Sequence, residues 1–141
     1  MAALVVPVVL VPVVLVPAIA SAQWSDAAAG SGSYSSAVLA APTSPATAAG
    51  VCVLLSGDQI VVSWTATSST WADGYEVARA NTSGGPYTVI GTTSGQSTTV
   101  FTDGPLAFST TYFYVVRARK QSWRSAYTAE VSRTTKSALC L

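Results

Sequence analysis

The chain has 141 residues, enough for one domain with flanking segments. Only 9% of them are charged, against roughly 25% in an average protein, and the formal net charge is +1. That balance implies neither a nucleic-acid partner nor a membrane-surface one, and the absence of histidine removes a common general base and zinc ligand.

From the N-terminus, Leu4 to Ala20 is almost wholly Val, Leu, Ala and Pro, with Pro7, Pro12 and Pro17 at even intervals. Three prolines make a poor permanent membrane helix in a segment barely long enough to span. The run closes on Ala18-Ile19-Ala20-Ser21-Ala22, which offers two small-x-small cleavage sites. Residues 1–22 therefore read as a secretory signal segment, with an uncleaved hydrophobic anchor as the alternative. Met1-Ala2-Ala3 lacks the usual basic residues, which leaves either a start upstream or a signal that works poorly. Residues 23–41 read as a flexible Ser/Gly/Ala linker. Within them Trp24-Ser25-Asp26 is followed by Tyr34-Ser35-Ser36-Ala37-Val38-Leu39. That arrangement resembles the alternative signal-and-propeptide region of certain Gram-positive secreted fibre and biofilm-matrix proteins.

Pro42-Thr43-Ser44-Pro45 marks the domain boundary, and strand signals follow one another from there. Ala46 to Leu55 reads as a weak strand, turned back by Ser56-Gly57-Asp58-Gln59. Ile60 to Ala66 alternates apolar and polar residues around Trp64, a large core anchor. Tyr75 to Arg79 alternates strictly, with Tyr75, Val77 and Arg79 on one face. Tyr87–Ile90 and Thr98–Thr102 are short strands, the second stopped by Asp103-Gly104-Pro105. Thr111 to Arg119 is the longest strand and carries Tyr112, Tyr114, Val116 and Ala118 on one face. Ala126 to Thr135 is the last. Seven short strands with turns between them and no helical period predict an all-β sandwich. Cys52 and Cys140 lack metal or redox spacing; in an exported chain they suggest a disulfide, with two free thiols as the alternative.

Pro42, Val62-Ser63-Trp64, Gly74-Tyr75-Glu76-Val77, Leu106 and Tyr112-Phe113-Tyr114-Val115-Val116-Arg117-Ala118 recur in a familiar order. From Pro42 to Thr135 the chain resembles a fibronectin type III domain, of the secreted type found in actinobacteria and other Gram-positive cells. The resemblance implies a seven-stranded, immunoglobulin-like Greek-key sandwich over residues 42–136, with a tail, 137–141, that holds Cys140. It implies that Trp64, Tyr75, Tyr112 and Tyr114 anchor the core. Tyr112 would be the corner tyrosine, its hydroxyl bonded to backbone near Leu106. It also places Cys52 near the pole where the last strand exits, within reach of Cys140.

No residue set points to catalysis. Ser and Thr are abundant but have no histidine to activate them. Asp58, Asp73 and Asp103 each sit beside Gly, which is turn chemistry, and no group of acids offers the oxygens a calcium ion needs. No enzyme, metal or cofactor is expected. The aromatic loops are more informative. Trp71 and the run Arg119-Lys120-Gln121-Ser122-Trp123-Arg124 fall at one pole of the implied topology. Trp71, Trp123 and the cations Arg119, Lys120 and Arg124 could form a polar-aromatic surface for sugar stacking or protein contact. The plainer reading of Trp71 is a cap on the core. The expected function is a non-catalytic extracellular binding or spacer module for adhesion or cell-surface protein contact. The alternative is a carbohydrate-associated accessory module of a polysaccharide-degrading system. Expected partners are a surface protein or a cell-wall polysaccharide, with no nucleic acid and with membrane contact only through the N-terminal segment. The expected location is secreted or at the extracellular surface.

Overall fold

The computed structural model describes residues 38–141, so the signal segment and the linker up to residue 37 lie outside the described residues. Eight strands follow one another with no helix among the described residues: β1 (Thr43–Ala49), β2 (Asp58–Thr65), β3 (Gly74–Ala80), β4 (Thr88–Ser94), β5 (Val100–Leu106), β6 (Thr111–Lys120), β7 (Trp123–Arg124) and β8 (Val131–Thr134). One sheet has the order β1-β2-β5, and the other the order β4-β3-β6 with both β7 and β8 against β6. Every pairing is antiparallel. The two sheets make a sandwich.

The core is the inner face of each alternating strand. Ile60, Val62 and Trp64 of β2 face Tyr75 and Val77 of β3 and Tyr112, Tyr114, Val116 and Ala118 of β6, all in one buried cluster. The Trp64 ring meets Tyr75 edge to face, with centroids 5.2 Å apart. Tyr75 is tethered at its far end: its hydroxyl donates to the Gln96 carbonyl (2.7 Å) and accepts from the Thr67 amide (2.9 Å). Tyr114 donates to the Asp103 carboxylate at 2.8 Å, and the same oxygen takes an Arg79 N–H at 2.8 Å. The Arg79 guanidinium lies 5.0 Å from the centroid of the Tyr112 ring. Tyr112 is thus buried as expected of an anchor, but its hydroxyl makes no bond to backbone near Leu106 among the described residues. The tyrosine bonded across the core is Tyr114, because β6 points it at Asp103 of the facing sheet.

Several boundaries differ from the sequence expectation, each for a local reason. The first strand is β1, Thr43–Ala49, and not Ala46–Leu55. Beyond it Val53 and Gly57 bond one another in a tight turn of their own. β4 runs on through Gly91 to Ser94 instead of stopping at Ile90. At Gly91 the Phe101 ring fills the space a Cβ would take, 2.4 Å from it, so a larger residue there would have to displace that ring. β5 continues through Asp103-Gly104-Pro105 to Leu106. It is an edge strand, so a residue lacking an N–H can lie in it without losing a ladder bond. The last strand is β8, shortened to Val131–Thr134 from the expected Ala126 to Thr135, and a two-residue β7 forms in the loop expected before it, which makes eight elements instead of the expected seven. Between β7 and β8 the hydroxyls of Ser125 and Thr128 accept the amides of Ala118 (2.9 Å) and Val116 (3.1 Å), so side chains replace backbone acceptors against β6.

The domain also starts earlier than Pro42. Leu39 is buried in the core cluster, and the Ala40 amide donates to Ser69 Oγ at 3.0 Å. These residues, read as the end of the linker, belong to the folded body. At the other end Cys52 and Cys140 are joined in a disulfide across a sequence separation of 88. Buried Asp58 accepts the Lys136 amide at 2.7 Å, so the tail is tied down before the disulfide closes it.

Candidate functional site

The acids among the described residues are all engaged in structure. Asp58 holds Gln59 and Lys136 backbone, Asp73 holds Lys120, Glu76 holds Arg117 and Arg124, and Asp103 holds Arg79 and Tyr114. Glu130 accepts from the Ser83 and Tyr87 hydroxyls and from the Gly84 amide, which pins the β3–β4 turn. Those bonds, led by the Tyr87 hydroxyl, hold the Glu130 carboxyl below its ordinary value. No group of three or more metal-capable side chains occurs among the described residues.

The pole where β2 passes to β3 and β6 passes to β7 is different. β6 and β7 form a tight hairpin in which Lys120 pairs Trp123, and Gln121 turns the corner at φ 49°. The β2–β3 loop comes to it through Asp73. The Asp73 amide donates to the Arg119 carbonyl at 2.9 Å. Its carboxylate accepts the Lys120 ammonium at 2.7 Å and the Gln121 amide at 2.9 Å. Lys120 first, then the Gln121 backbone, hold the Asp73 carboxyl below the usual carboxylate range. Gly74 follows at φ 146°, and a Cβ there would meet the Thr93 carbonyl at 2.0 Å. Only glycine lets β3 start that close to β4.

This tie brings Trp71 beside Trp123, with ring centroids 6.2 Å apart and planes at 82°. Trp71 is 36% exposed and Trp123 is 56% exposed, and neither belongs to the core cluster. The plainer reading of Trp71 as a core cap therefore gives way: the Ser69–Ala72 turn points it outward to Trp123. Together with Lys120 and Gln121 the two rings line an open cleft of about 250 Å³.

The sequence predicts no full basic face among the neighbouring cations, because it sets Asp73 and Glu130 near them. Lys120 is paired with Asp73, and Arg124 shares the carboxylate of Glu76 with Arg117. Arg119 points one N–H at the Thr93 carbonyl, 3.4 Å away. Glu130, adjacent to these cations only in sequence, serves the β3–β4 turn instead. The residue that sequence reasoning missed is Asp73. Its Asp-Gly step signals a turn and nothing in it signals a tie to the next hairpin.

No protein-family model and no curated protein matches the sequence. Solved structures do. The chain is 33% identical to an Fn3-like protein from Clostridium thermocellum, covering 71% of this chain and 97% of that one with a TM-score of 0.55. It is 24% identical to the fn3 domain of the human collagen alpha-1(XX) chain, over 75% of this chain and 93% of that one, with a TM-score of 0.56. A fibronectin type III domain of the human KIAA0970 protein is 21% identical, over 75% and 88%, with a TM-score of 0.54. The two human domains share the fold.

Proposed function

The chain belongs to the fibronectin type III family, and we propose that it is a non-catalytic adhesion module that works outside the cell. The observation that carries the reading is the exposed Trp71–Trp123 pair, held at one pole by Asp73 and free of the core. Trp71 and Trp123, 36% and 56% exposed, each forgo only part of the about 1.5–3 kcal/mol that full burial of a large apolar side chain gives. A site that keeps two such rings together and open is built for a contact.

The extracellular part of the reading draws on two features. The Cys52–Cys140 disulfide is stable in an oxidising compartment. The apolar tract Leu4–Ala20, with its small-x-small ends, suits export, and secretion from a Gram-positive cell is part of the proposal. No helix of the described residues is long and apolar enough to cross a membrane. The ligand is a surface protein or a wall polysaccharide. Retention of intact Gram-positive cells and of their isolated walls on the immobilised, disulfide-bonded chain tests the proposal. Wild type should retain one or both, and the Trp71→Ala/Trp123→Ala double variant should not. Equal retention by both would remove the pole as the contact, and no retention by wild type would leave only a spacer.

A further inference from the structure

Resting on the reading of this pole as the contact, we propose that the Trp71–Trp123 corner is a saccharide subsite that takes a neutral pyranose ring of a surface glycan. Three observations point to that chemistry. The first is shape. Two indoles at 82° make adjoining walls, one of which can stack the flat C–H face of a sugar while the other flanks its edge. The cleft, about 250 Å³, falls below the roughly 300–1,000 Å³ of sites for drug-sized molecules. That is a size for one sugar ring.

The second observation is the charge state of the rim. Of the four residues that line the cleft only Lys120 is charged, and Asp73 holds it at 2.7 Å; outside the lining, Arg124 shares one carboxylate with Arg117, and Arg119 faces a backbone carbonyl. A charged ligand in the cleft would have to draw Lys120 from Asp73 for a favourable pairing. A neutral one would not.

The third is the supply of polar groups at the edge of the rings. The Lys120 ammonium has donors beyond the one given to Asp73, and the Gln121 side chain carries both a donor and an acceptor. Hydroxyls are donors and acceptors at once, so a ring with equatorial hydroxyls finds a partner for each role. An aliphatic side chain of a protein would fill the corner but leave those groups without use.

The test is binding of the disulfide-bonded chain to an immobilised panel of neutral glycans (β-glucan, mannan, galactan and β-linked N-acetylglucosamine polymer) beside acidic glycans. Tryptophan fluorescence provides a second readout. At least one neutral glycan should bind, with a change in tryptophan emission and little loss between low and high salt. Trp123→Ala should weaken that binding roughly tenfold or more, and Gln121→Ala several-fold. Both variants should melt close to wild type, since neither side chain is in the core. Failure to bind any neutral glycan, binding only to acidic glycans that salt abolishes, or equal binding by Trp123→Ala would each overturn the proposal. If glycans fail while cell retention still depends on the two tryptophans, the adhesive pole stands and its ligand is protein. If cell retention ignores the tryptophans, the pole is not the contact and the reading on which this proposal rests fails.

Discussion

Breaking the Cys52–Cys140 bond is the most direct test of how this small sandwich stays folded. The bond spans a sequence separation of 88, so in the unfolded chain it closes nearly the whole domain into a loop. Loop-closure entropy gives about 4.5 kcal/mol of stabilisation for a loop of that size. A domain of about 100 residues has a total stability of about 5–15 kcal/mol, so the bond supplies a large share. At roughly 4–8 °C per kcal/mol for a domain of this size, its removal should lower the melting temperature by about 20 °C or more. The folded structure should survive in outline, because Asp58 still holds the Lys136 amide and the Ser109 amide still bonds the Lys136 carbonyl. Melting followed by circular dichroism, with and without reductant, and on the Cys52→Ser/Cys140→Ser double variant, measures the effect. A fall of less than about 5 °C in both would refute the reasoning, since the unfolded chain would then gain little freedom from the cut.

Trp64→Ala should cost about 3–5 kcal/mol in a denaturant titration, through the cavity it leaves against Tyr75. A cost under about 1 kcal/mol would mean the ring is not a keystone of the core. Asp103→Asn removes the charge opposite Arg79 while keeping the shape; because Arg79 is partly exposed, about 2–3 kcal/mol should be lost. Burial first, then the hydrogen bond to Asp103, raise the Tyr114 hydroxyl well above its ordinary value, so the fold holds it neutral. A raised value in the folded state stabilises below the unfolded value of about 10 and loses that contribution as pH climbs past it. Urea midpoints should therefore be flat up to about pH 9 and fall above about pH 10, and Tyr114→Phe should flatten the fall.

The core was legible because period-two burial is written directly into a strand. Trp64 in Ile60–Ala66 alternates with polar neighbours, Tyr112, Tyr114 and Val116 recur at every second position of the longest strand, and all of them lie inside. Exposed Trp71 was harder. Its side of the loop is decided by Asp73 reaching Lys120, a contact between residues far apart in sequence that local pattern does not encode. The pairing of the site's charges was hidden for the same reason. Lys120 and Arg124 are near neighbours in sequence, yet their partners Asp73 and Glu76 arrive from β3 and the loop before it. Asp103 shows the limit of turn signals. Beside Gly104 it looks like punctuation, but on an edge strand its side chain turns inward and meets Arg79 and Tyr114.

The entry of the chain at Val38–Ala40 has a directional consequence. The Ser69 hydroxyl donates to the Val38 carbonyl at 3.4 Å and the Thr67 hydroxyl donates to the Ala40 carbonyl at 2.6 Å. Ser69 begins the turn that carries Trp71, so the polypeptide enters the sandwich at the tryptophan pole and finishes at the disulfide pole. The two ends of the described chain therefore lie at opposite poles, so a change at the entry residues would be felt first by the turn that carries Trp71, and a change at Cys140 by the far end of the sandwich.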